Sequence, residues 1–139
     1  MTRFGLFSCC QIAYAVRLLQ LCKVVHEKNG FLLPGIEKTV VEVLVDDGRL
    51  IPLLFLPGLS HGDPGAARTA EYKIIVESEA GLIAFSADRT FGVVAENKGE
   101  ILDSGESKIA GVAGNFKYQG KVFNILDVDF LAIELTRGG

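Results

Sequence analysis

Two nine-residue segments of this chain read alike, 72 positions apart. Gly48-Arg49-Leu50-Ile51-Pro52-Leu53-Leu54-Phe55-Leu56 repeats in kind as Gly120-Lys121-Val122-Phe123-Asn124-Ile125-Leu126-Asp127-Val128. Each copy has a glycine, a cation and then five matching apolar positions. A glycine that releases the chain into an apolar run is how a turn leads into a buried strand. Two such units suggest two similar β subdomains, although nine residues by themselves leave chance similarity open.

The surrounding sequence supports a β reading. Val40 to Val45 is apolar and β-branched and ends at Asp46-Asp47-Gly48. Asp-Gly is a strong hairpin signal, because both residues tolerate positive φ. Arg49 to Leu56 then returns as the partner strand, with Pro52 inside it, so the side of Pro52 that lacks a donor should face an edge or a bulge. Tyr72 to Glu77 and Leu82 to Ala87 form a second hairpin, and Phe91 to Ala95, Ile109 to Ala113 and Lys121 to Val128 are further strands. Gly114 to Gly120 reads as a connection, Phe130 to Leu135 as a closing strand or short helix, and Pro57 to Ala70 as a surface loop. The N-terminal third is ambiguous. Ile12, Ala15, Val16, Leu19 and Cys22 fit a helical stripe, whereas Phe4 to Phe7 and Ile12 to Val16 also read as strands.

Composition excludes several function classes. At 139 residues the chain fits one domain, 1–139, and 49% hydrophobic against 22% charged residues argues for a packed core rather than disorder. The net charge of −3, with scattered Lys and Arg and no Trp, disfavours nucleic-acid binding. The apolar run from Cys9 to Val25 is broken by Gln11, Arg17, Gln20 and Lys23, which argues against a membrane span or a secretion signal and for a cytoplasmic protein. A mean hydropathy of +0.34 points to a large core or to apolar surface kept for a partner.

No catalytic, cofactor or metal pattern emerges. His26, His61 and Asp63 have no metal-ligand spacing. Ser60 and Ser104 lack a nucleophile elbow, and phosphate-binding glycine motifs are absent. Cys9, Cys10 and Cys22 form no CxxC pair and read as reduced thiols.

The serial order of these segments resembles the CheW-like domain family. Glu42 to Leu56 is similar to that family's apolar hairpin with a proline in its second strand. Tyr72 to Val76, Leu82 to Asp88 and Phe91 to Val94 resemble its central strands. Ile109 to Ala113 with Gly120 to Val128 resembles its last hairpin. Phe4 to Phe7 with Ala13 to Val16 resembles its opening strand pair, and Leu32-Leu33-Pro34 its proline-bearing connection. The likeness runs from about residue 4 to residue 135.

The resemblance implies an all-β fold of two intertwined five-stranded SH3-like barrels, and strands in the N-terminal third. It implies a non-enzymatic adaptor of bacterial chemotaxis signalling with no cofactor. The expected partners are the regulatory domain of a CheA-type histidine kinase, at a barrel edge, and the cytoplasmic tip of a chemoreceptor, in an inter-barrel groove. One departure stands out, because the family's arginine before the hairpin glycine falls on Asp47. Val43, Val45, Asp47 and Gly48 are therefore expected to form an altered receptor-side region. Other readings are a CheW-like module in a non-chemotactic pathway, or a small-ligand-binding β-barrel.

Overall fold

A computed structural model describes residues 1–26, 30–32, 40–55, 69–102 and 111–136, without the side chains of 135 and 136. The strands are β1 (Arg3–Cys9), β2 (Ile12–Arg17), β3 (Leu21–His26), β4 (Val40–Asp46), β5 (Arg49–Leu54), β6 (Tyr72–Ser78), β7 (Gly81–Ala87), β8 (Arg89–Ala95), β9 (Glu100–Leu102), β10 (Val112–Tyr118) and β11 (Lys121–Leu126). Among the described residues one α-helix, α1 (Val128–Thr136), follows. The strands form two sheets, ordered β8-β1-β2-β11-β10-β9 and β3-β6-β7-β5-β4.

Apart from the short β9, the two orders are the same. In each, an antiparallel hairpin pairs in parallel with the second strand of another hairpin, β2 with β11 and β7 with β5. The outer strand of each sheet is exchanged. β3 leaves the β1–β2 hairpin to pair with β6, and β8 leaves β6–β7 to pair with β1. The halves are thus intertwined, as expected. The expected five strands hold for one sheet, while β9 brings the other to six by adding to β10.

Both sheets curl. Phe91 on β8 packs edge-on against Phe123 on β11, with ring centroids 5.6 Å apart. A flat sheet would separate these strands by roughly 14 Å. In the other sheet, Lys23 on β3 reaches Asp46 on β4 at 2.7 Å, although these strands lie at opposite edges. Phe4, Phe116 and Phe123 help fill one barrel, and Leu44, Ile51 and Leu53 the other. A third cluster lies between them, built from Phe7, Tyr14, Val16, Ile74, Val76 and Phe85 and capped by Val128, Leu131 and Ala132 of α1.

The 72-residue repeat extends beyond the nine residues that first suggested it. Val40 pairs with Leu54 and Val112 with Leu126, each just before a register shift. Leu44 faces Ile51 as Phe116 faces Phe123. Both hairpins turn through two left-handed residues, Asp47 (φ 50) with Gly48 (φ 74) and Gln119 (φ 50) with Gly120 (φ 77). These are the conformations a two-residue hairpin turn requires. β10 is therefore Val112–Tyr118, so Gly114 to Gly120, expected as a connection, is mostly strand, while Ile109 and Ala110 of the strand expected there lie outside the described residues. Its polar residues obscured it. Asn115 donates to Asn124 Oδ1 at 3.1 Å, and Asn124 donates to the Ala13 carbonyl at 3.0 Å, so both are satisfied within the sheet.

The N-terminal third is strand, as the resemblance implied, and the helical spacing misled. Ala13 and Ala15 face the barrel core while Tyr14 and Val16 face the seam, so β2 is buried on both sides and shows no alternation. Leu19, which a helix would have buried, is 99% exposed on a 3₁₀ turn at Leu18–Gln20. Pro52 lies opposite Val43, whose N–H and C=O both turn away from β5 to bond Phe31. That makes a non-hydrogen-bonded pair, so Pro52 forfeits no bond to β4. Its donor-less side faces β7, where pairing begins only at Leu53.

The chain's end resolves as helix. Asp127 Oδ1 accepts the Phe130 N–H at 3.2 Å, which caps α1. The Asp127 N–H bonds the carbonyl of Gly111 at 2.8 Å. Gly111 sits at φ 90, and a methyl group there would drive into Leu131. Gly48 also has positive φ, but open space surrounds it. Gly48→Ala should therefore cost about 1–2 kcal/mol from backbone strain alone. Gly111→Ala should cost about 1–3 kcal/mol more through overpacking. Urea unfolding of the two variants measures the difference.

Candidate functional site

The four expected site residues lie at and behind the β4–β5 turn. Val43 is 6% exposed, and its backbone is bridged to Phe31 by two bonds of 2.9 and 3.0 Å. Val45 is 37% exposed and, two residues on, presents its N–H and C=O outward in the same sense. Asp47 and Gly48 form the tip. Only Val45 and the tip therefore offer surface, while Val43 belongs to the wall behind them.

The tip has an electrostatic partner the sequence did not indicate. Lys23 Nζ lies 2.7 Å from Asp46 Oδ2 and 3.4 Å from Asp47 Oδ2. The Asp46 side chain is only 8% exposed, whereas that of Asp47 is 74% exposed. One ammonium thus serves two carboxylates, one inside the barrel rim and one in solvent. Its hydrogen bond to Asp46, with the charges of both aspartates, raises the Lys23 pKa above 10.5. The carboxylate at position 47 is accordingly partly neutralised rather than a bare negative charge.

Lys23 also links the tip to a second feature. Its neighbours on β3, Leu21 and Val24, help line an apolar groove of ≈ 190 Å³ between the exchanged strands. Facing them from β8 are Thr90 and Val93. These residues occupy equivalent places. Leu21 pairs with Val76 of β6 as Thr90 pairs with Phe7 of β1, and Val24 with Ile74 as Val93 with Gly5. Gly5 and Ile74 line the groove too. The groove therefore straddles the pseudo-two-fold that relates the halves. Val24 and Val93 stand on it 46% and 51% exposed.

The groove's one polar lining side chain among the described residues is that of Thr90. Small-molecule sites are usually larger, about 300–1,000 Å³, with several convergent polar groups. Its chemistry suits apolar side chains of a protein partner better. Of the histidines, His26 bonds Glu71 at 2.9 Å and packs on Tyr72. His61, Asp63, Ser60 and Ser104 lie outside the described residues. Among the described residues no group of three or more His, Cys, Asp or Glu is placed to hold a metal, and no helix is long and apolar enough to cross a membrane.

Two curled sheets with exchanged outer strands, and an apolar groove along their seam, define a paired-barrel fold. The sequence model of the CheW-like domain family matches residues 3–134, and the chain belongs to that family. No curated protein sequence matches it. Among solved structures, it is similar to the scaffolding protein TtCheW from Thermoanaerobacter tengcongensis. The identity is 20%, the TM-score 0.77, and the match covers 99% of this chain and 97% of that one. At that identity the likeness establishes the fold.

The closing ion pair has a pH signature. A raised folded pKa means that Lys23 contributes its full stabilisation below its ordinary value of 10.5 and loses it as pH rises through the folded value. Lys23→Met should be less stable than the parent at pH 7, and the difference should shrink in strongly alkaline solution. Denaturant unfolding of both proteins across that range reads it out, since every other titrating group is common to the two.

Proposed function

We propose that this chain is a non-enzymatic adaptor of bacterial chemotaxis-type signalling, which couples a CheA-type histidine kinase to chemoreceptors. The observation that carries the reading is family membership over residues 3–134. In this reading residues 1–139 act as a single cytoplasmic domain. A barrel edge takes the regulatory domain of the kinase, and the seam groove takes the receptor tip. No cofactor or metal enters.

Of Val43, Val45, Asp47 and Gly48, the last three form the altered receptor side, and Val43 backs them from the wall. An arginine at position 47 would offer a planar, multidentate cation, whereas Asp47 offers an acceptor with an ammonium 3.4 Å behind it. A receptor surface built to meet a cation is disfavoured there. The same inversion favours a second reading, in which the module serves a non-chemotactic pathway with a different partner at the groove.

Calorimetry with the regulatory domain of a CheA-type kinase from the same organism tests the first reading. Micromolar or tighter binding, about −8 kcal/mol or better, is expected. No binding to any such kinase would remove it. A receptor-tip fragment tests the inversion. Affinity should rise by roughly 3- to 10-fold from the parent through Asp47→Asn to Asp47→Arg, mainly in the association rate at low salt, as rim charges act. Ordinary receptor affinity that ignores Asp47→Arg would sink the altered-receptor reading and leave the kinase reading standing.

A further inference from the structure

Cys9 ends β1 and Cys10 opens the turn to β2, and their sulfurs lie 3.8 Å apart. Both are half-buried, whereas Cys22 is exposed. The turn is unusual. Cys10 and Gln11 stand at φ 53 and 71, the left-handed pair of a two-residue hairpin turn. Gly, Asn and Asp take those positions readily, and Cys and Gln do not. Backbone strain at such a place points to a use beyond turning the chain.

Asp88 holds the strained turn. Its Oδ2 accepts the Cys10 N–H at 2.8 Å and its Oδ1 accepts the Ser8 hydroxyl at 3.1 Å. Its own N–H bonds the Ser8 carbonyl at 2.9 Å. Asp88 is the single residue between β7 and β8, where the chain crosses from one sheet to the other. Two thiols are thereby fixed side by side against the crossover.

We propose that Cys9 and Cys10 are a modification site, a dithiol that hydroperoxides oxidise reversibly to a vicinal disulfide. The Cys10 thiolate attacks one peroxide oxygen and the O–O bond breaks. This leaves a sulfenic acid on Cys10 and, for hydrogen peroxide, one water after protonation. The Cys9 sulfur then attacks Cys10 Sγ, the S–O bond breaks, and the oxygen departs as a second water carrying the Cys9 proton. The two sulfurs lose two electrons and the peroxide gains them.

The order of attack follows from surroundings. Burial, with the charges of Cys10 and Asp88, pushes the Cys9 thiol up to about 12, so Cys10 is the first nucleophile. The charge of Cys10 is one of those causes, and it disappears once that sulfur is a sulfenic acid. Lys73 acts in the opposite direction on Cys9. Consecutive Cα atoms lie about 3.8 Å apart, short of the roughly 4.4–6.8 Å that disulfides favour, so the bond formed is easily reduced. That suits a reversible mark better than a staple, and it does not depend on the adaptor reading.

The test treats the full chain with a few equivalents of hydrogen peroxide, alkylates the remaining thiols and maps peptides by mass spectrometry. The expected product is loss of two hydrogens in the peptide carrying Cys9 and Cys10, reversed by dithiothreitol, with Cys22 still alkylated. In Cys9→Ser the reaction should stop at a Cys10 sulfenic acid that dimedone traps, and Cys22→Ser should behave as the parent. Oxidation confined to Cys22, cross-linked dimers, or direct conversion of Cys10 to the sulfinic acid in the parent chain would overturn the proposal.

Discussion

The exchange of β3 and β8 between the two hairpins is the constraint on which the rest depends. Each sheet ends in a strand that belongs, by chain order, to the other half. Neither barrel can close without its neighbour, so the interface between them is part of the core. The residues there reflect this. Phe7, Tyr14 and Val16 come from one half, and Ile74, Val76 and Phe85 from the other, all under 3% exposed. Each such buried side chain contributes roughly 1.5–3 kcal/mol, so a cluster of this size makes the two halves one cooperative unit.

A near-symmetric scaffold gains function where its equivalent positions differ. The two hairpins superpose in register, yet one tip carries Asp47 and the other Gln119. Lys23 pairs with Ile75 as Gly92 pairs with Leu6. One barrel is therefore drawn shut by an ion pair across its edges. The other is closed by Phe91 against Phe123, with Arg89 and Lys121 over the Phe91 ring. Phe55 and Asp127 occupy the same place in the repeat, and only Asp127 can cap a helix. In the second copy Asp127 caps α1, which covers the seam cluster.

The sequence made the repeat and the first hairpin legible because glycines and apolar runs carry their own signal. It hid what depends on burial from two sides. β2 looked helical because both of its faces are covered, one by a barrel and one by the seam. β10 looked like a turn because its polar Asn115 finds its partner inside the sheet, on Asn124 of β11. Of the site, the tip was readable from Asp47-Gly48. The groove was not, since Leu21, Val24, Thr90 and Val93 come from exchanged strands almost seventy positions apart and share no motif. The interruption of an apolar run by Lys23 was a signal, but it spoke first against a membrane span rather than for an ion pair.

Tip and groove meet on β3. Lys23 and Val24 are consecutive, so their side chains leave the strand on opposite sides. One ties β3 to Asp46 across the barrel, and the other lines the groove. The position of the groove wall therefore depends on an ion pair that the groove does not contain. Because Asp46 is largely buried and Asp47 is not, the two carboxylates divide the work. Asp46 anchors Lys23, and Asp47 sets the charge that a partner approaching the tip encounters. A change at position 47 thus alters the rim while leaving the anchor in place. A change at Lys23 alters both at once.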